Sequence, residues 1–149
     1  MIELMKVSNK MVDEYFKNND LVIIPTGAIE SHGPHNPLGT DVLIPSKILE
    51  LMKDQLDFLA TPIMPFGSSD AHTGFSGTIT LSDDIFYQVL QRIVYSMFKL
   101  GAKKFVFLNG HGGNTPSINR ICLELSEKGA QGVILDWRRM GGELDSRWK

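Results

Sequence analysis

The sequence predicts an α/β protein with a mostly parallel sheet and helices on its two faces. Short apolar runs of strand length alternate along the chain with longer stretches whose apolar residues recur every three or four positions. The runs at 21–26 and 104–108 are apolar without a polar side, which is the pattern of strands covered on both faces. A chain of 149 residues fits one domain with a single substantial core.

The elements follow in order. Residues 8–18 place Met11, Val12, Tyr15 and Phe16 at helical spacing, with Ser8 or Asn9 at the N-cap. Leu21 to Thr26, bounded by Asp20 and Gly27, reads as a buried strand. A second helix is expected over 41–56, where Leu43, Ile44, Ile48, Leu51, Met52 and Leu56 form a stripe. Pro45 suits only the first turn, so this helix starts at Asp41 or restarts at Pro45. Residues 58–64 read as a second strand frayed by Pro62 and Pro65. A third helix runs from Ser82 or Asp83 to Gly101, with Phe86, Leu90, Val94 and Phe98 on its broad apolar side. A strand at 104–108, a helix at 115–128 and a strand at 132–137 complete the chain.

Composition narrows the function. Lys plus Arg number 15 and Asp plus Glu 17, a net charge of -2 with no basic block, so the electrostatic footprint of a nucleic-acid binder is absent. The expected partners are a small molecule and further copies of the chain. Cys122 is the sole cysteine, which excludes an internal disulfide and a thiolate zinc cluster. With Ile118, Ile121 and Leu125 around it, Cys122 reads as core. Any metal must be held by nitrogen and oxygen. Residues 1–16 mix charges among their apolar residues, unlike a signal peptide, and no run is long enough to span a bilayer; the expected compartment is the cytoplasm.

Residues 27–41 (GAIESHGPHNPLGTD) carry three glycines and two prolines, so they form no regular element, yet they hold Glu30, His32, His35 and Asp41. A second loop, after the 104–108 run, carries His111 between Gly110 and Gly112. Both loops leave strands at their carboxyl ends, where open parallel sheets bind ligands. Glu30 and His32 share a side if the backbone is extended, and the two oxygens of Asp41 can bridge two cations. Each residue also has a plainer reading: Asp41 as a helix cap, Glu30 as solvated surface, His35 as a loop hydrogen-bonder, His72 and Asp70 as braces of their own loop. The joint placement of Glu30, His32, Asp41 and His111 favours a site; His35 carries less weight. Trp137 and Trp148 fit either substrate contact or packing. A nucleotide binder would need a Gly-x-Gly-x-x-Gly after the first strand, and none is there.

The 27–41 stretch resembles the signature of the creatininase (creatinine amidohydrolase) family. Residues 72–78 (HTGFSGT) are similar to that family's second block and 109–114 (NGHGGN) to its third. The resemblance implies a three-layer α/β/α fold, one or two divalent metals per chain (Zn, Mn or Fe), and hydrolysis of a C–N bond in a cyclic or linear amide by a metal-activated water. It implies that Glu30 and His111 bind one metal, His32 the other, and that Asp41 bridges them. His72, Ser69 and Asn114 take catalytic or substrate-contacting places. Two features depart from the family pattern. Creatininase has a glutamate ligand where this chain has Gly113, so relatives acting on formamides or other cyclic compounds fit equally well. Family members also continue beyond the length seen here, through a region that supplies a further glutamate, a catalytic histidine and aromatics, whereas the tail offers Glu143 and Asp145. The expectation is a single domain over 1–149 that lacks this C-terminal region and works as a homo-oligomeric amidohydrolase. The alternative is an impaired fragment that keeps a metal-binding or assembly role, or one completed by a second chain.

Overall fold

The structure, a computed structural model, describes residues 1–140. Glu143, Asp145 and Trp148 lie outside the described residues. Five strands form one sheet in the order β1 (Ile2–Glu3), β3 (Leu59–Ala60), β2 (Leu21–Thr26), β4 (Lys104–Asn109) and β5 (Gln131–Asp136). Every pairing among them is parallel. Register fixes where the loops emerge: Thr26 pairs with Asn109, and Asn109 with Asp136, so the three long strands end level.

Strand alternation builds two cores. Val22, Ile24, Phe105 and Phe107 face helices α1 (Asn9–Asn18), α3 (Asp83–Leu100) and α4 (Thr115–Glu127), meeting Tyr15, Phe86, Leu90, Ile118 and Leu125. The alternate residues Ile23 and Leu108 face the other way, with Phe58 and Ala60, toward Ile48, Leu49 and Met52 of α2 (Thr40–Met52). Both faces of the strands are thus apolar and covered, and the result is a three-layer α/β/α fold.

Element boundaries moved for local reasons. Of the expected 58–64 strand, Leu59–Ala60 forms β3 and Met64 returns as a single parallel bridge to Thr26, the ladder between them being interrupted at Pro62, which brings no N–H. β1 went unread because two residues carry no periodicity; it is held by pairing to β3 and by the Ile2 N–H to the Phe58 carbonyl at 2.7 Å. The second helix ends at Met52 rather than residue 56, and it runs unbroken through Pro45 from a start at Thr40. The carbonyl that Pro45 leaves without a helical donor is that of Asp41, in the first turn. α3 stops at Gly101, whose φ of +120° lets its N–H turn back to the carbonyls of Met97 and Phe98.

Candidate metal centre

Loops from β2 and β4 converge at the carboxyl edge of the sheet. The β2 loop is pinned at both ends: the Glu30 N–H donates to the Leu38 carbonyl at 3.0 Å, and the Ile79 N–H to the Ile29 carbonyl at 2.9 Å. Glu30 and Asp41 are both only 4% exposed, an expensive position for two carboxylates unless they are paired or ligated. Asp41 sits in the first turn of α2, and its carbonyl presses on two glycines. A Cβ on Gly27 would come within 2.5 Å of that oxygen, and one on Gly110 closer still.

Glu30, His32 and Asp41 each bring a ligand atom within 4.8 Å of the others. His32 Nε2 lies 3.0 Å from Asp41 Oδ1, and its Nδ1 lies 3.1 Å from the Glu30 carbonyl. On the far side His111 Nδ1 lies 2.9 Å from Asp41 Oδ2 and 3.3 Å from Glu30 Oε1. His111 Nε2 is 2.8 Å from the Ser68 carbonyl, which accepts only, so Nε2 carries the hydrogen and Nδ1 turns its lone pair on the carboxylates. Acceptors crowded this closely require a cation, either a proton or a metal. Burial pushes the His111 pKa down, but the hydrogen bonds to Asp41 and the Ser68 carbonyl and the charges of Glu30 and Asp41 outweigh it and hold it above its ordinary value of 6.5. Glu30 Oε2 is buried without a hydrogen-bond partner among the described residues. An orphaned carboxylate oxygen, two imidazole lone pairs and a shared carboxylate suit a divalent metal of the nitrogen and oxygen class.

The remaining residues singled out in the sequence fall in different places. Ser69 is buried, with Oγ 3.4 Å from His111 Nε2, and it lines a cavity of about 580 Å³ together with the four ligand candidates. His72 lines the same cavity, and its Nδ1 is 3.3 Å from Glu30 Oε2. Asn114 is fully buried and does not line it; its Nδ2 donates to the Gly27 carbonyl at 3.1 Å and its Oδ1 accepts the Ser68 N–H at 3.0 Å, tying three loops together. His35 is exposed and does not line the cavity. Gly113, at the position where the resemblance would have a glutamate, has no room for a side chain: a Cβ would fall within 2.5 Å of His111 Nε2.

Several site residues escaped sequence reading. Asn109 is fully buried and clamps the β4 loop, with Nδ2 donating to the His111 carbonyl at 2.7 Å and Oδ1 accepting from the Thr26 hydroxyl at 3.0 Å. Arg138, from the short helix α5 (Trp137–Met140), also lines the cavity, beside Trp137, for which the sequence left substrate contact and packing both open. The available signal was a polar residue ending each apolar run: Thr26, Asn109 and Asp136.

This is a doubly covered parallel α/β protein whose strand ends carry a carboxylate and imidazole cluster of metal-ligand type. The chain belongs to the creatininase family, whose model, described as creatinine amidohydrolase, matches residues 5–147. It is 32% identical over 109 residues to the mycofactocin precursor peptide peptidase of Mycobacterium tuberculosis, covering 66% of this chain and 43% of that protein. It is 28% identical over 100 residues to the creatinine amidohydrolase of Pseudomonas putida, covering 64% and 38%. A crystal structure of creatininase superposes with a TM-score of 0.78 at 23% identity, over 91% of this chain and 57% of that one. A manganese creatininase does so at 0.77 and 24%, over 91% and 58%. The chain therefore spans about half the length of the relatives it matches.

Proposed function

We propose that this chain carries the metal centre of a metal-dependent amidohydrolase that cleaves the C–N bond of a cyclic or linear amide, creatinine-like or formamide-like. The observation that carries this reading is Asp41, whose two oxygens face two different imidazoles while Glu30 lies between them. Glu30 and His111 would hold one cation, His32 a second, and Asp41 both. The donor set suits Zn, Mn or Fe. Such cations, when bound, acidify water and polarise a carbonyl.

The chain's own residues do the rest. The Ser68 carbonyl fixes the tautomer of His111, and the Glu30 carbonyl does the same for His32 by accepting from Nδ1. His72 has 38% of its side chain exposed and Nδ1 beside Glu30 Oε2, so it is placed to pass a proton to the departing nitrogen. Ser69 presents its hydroxyl at the cavity wall, where a substrate carbonyl or amide can bond to it. Net, water adds to the carbonyl carbon, the C–N bond breaks, and the nitrogen leaves with a proton. We place the protein in the cytoplasm, in keeping with its single cysteine, and expect it to act as a homo-oligomer. The test is a panel of formamides, cyclic amides and short peptides assayed with metal-loaded protein. Cleavage of any member, lost on chelation, supports the reading; a metal-loaded chain inert on the whole panel supports instead a fragment with a binding or assembly role.

A further inference from the structure

Beside the ligand cluster the cavity has a wall made of donors. Asp136 ends β5, is 7% exposed, and grips Arg138: Nε donates to Oδ1 at 3.1 Å and Nη2 to Oδ2 at 2.9 Å. The Arg138 N–H donates to Oδ1 as well, at 3.1 Å. This two-point grip takes one edge of the guanidinium and fixes its plane. The other edge, formed by Nη1 and Nη2, lies over Gly112. A Cβ there would come within 2.7 Å of Nη2 and 3.0 Å of Nη1, so the glycine is what makes room for it. Gly112 follows His111, and both line the cavity with Arg138.

A second observation points the same way. Trp137 lines this cavity too, and its indole Nε1 is buried with no acceptor among the described residues. A buried N–H without a partner costs stability until something accepts from it. Arg138, 48% exposed at its side chain, remains reachable from solvent. An oriented guanidinium edge and an unpartnered indole N–H, in the cavity that Glu30 and Asp41 also line, match a ligand that brings oxyanion oxygens.

We propose that Arg138, oriented by Asp136, binds an oxyanion on the substrate, a carboxylate or a phosphate, and so selects amides that carry a negative charge. Its role in substrate choice rests on the amidohydrolase reading; the anion site itself does not. The experiment follows the Gly112 amide and the Trp137 indole N–H by NMR while metal-stripped protein is titrated with inorganic phosphate, then with acetate. Saturable shifts of both signals in the wild type, with affinity at least tenfold weaker in Arg138→Gln and partly restored in Arg138→Lys, are expected. Phosphate alone acting identifies a phosphate subsite; acetate acting as well identifies a carboxylate subsite. No shift in the wild type, or equal shifts in Arg138→Gln, overturns the proposal. Metal uptake measured on the same sample separates the two readings. Anion binding without metal uptake removes the amidohydrolase and keeps this site, and the reverse result removes this site alone. In the metal-loaded protein, the kcat/KM ratio for N-formylglycine over N-methylformamide falls at least tenfold in Arg138→Gln.

Discussion

Asp41 Oδ1 lies 3.0 Å from His32 Nε2, and Asp41 Oδ2 lies 2.9 Å from His111 Nδ1. One carboxylate thus stands between an imidazole nine residues before it in its own loop and another 70 residues after it. The Asp41 carbonyl itself is wedged against Gly27 and Gly110, where no side chain would fit. The backbone at residue 41 is therefore held by packing as well as by what its side chain meets.

Gly110→Ala tests that wedge. The added methyl meets the Asp41 carbonyl and must push α2 outward, which costs about 1–3 kcal/mol. Urea unfolding should show this loss, and metal affinity should fall with it because Asp41 is displaced.

Asn114→Ala should destabilise without touching the cavity. It leaves the Gly27 carbonyl and the Ser68 N–H buried and unpaired, a cost of about 2–4 kcal/mol in denaturant melts. If Asn114 contacts substrate instead, KM rises while stability holds.

Stability of the metal-free protein should fall as pH rises. The folded pKa of His111 is raised above 6.5, so its protonated form contributes fully below the unfolded value, and that contribution is lost as pH climbs through the raised one. Metal requires the neutral imidazole, so affinity moves the opposite way and strengthens with pH. Melting curves from about pH 6 to about pH 8, with and without Zn, should therefore draw apart as pH rises, the metal-free protein losing stability while the gain from Zn grows.

His72 and His35 give a contrast within one chain. His72→Gln should retain metal and lower kcat by roughly 10²-fold or more, the usual scale for a lost proton donor. His35→Ala, at an exposed loop position, should leave metal content unchanged and stability within about 0.5 kcal/mol.

The layered fold was legible because burial on both faces writes unbroken apolar runs, as at 21–26 and 104–108. β1 and the shortened β3 were not, since two-residue pairings leave no period. Four ligand candidates were legible from residue type and from their place after strands. The supporting contacts of Asn114 were not legible, because its sequence position, three residues past His111, says nothing of the three loops it ties. Arg138 was invisible for a related reason: what orients it is Asp136 across a turn, and what makes room for it is Gly112 on another strand's loop.

Metal content is the most direct measurement. Purified protein, dialysed against Zn or Mn and analysed by plasma mass spectrometry, should carry close to one or two equivalents per chain, and Asp41→Ala should carry none. A wild-type chain that takes up no Zn, Mn or Fe even at high concentration, while remaining folded, would contradict the metal centre and the amidohydrolase built on it.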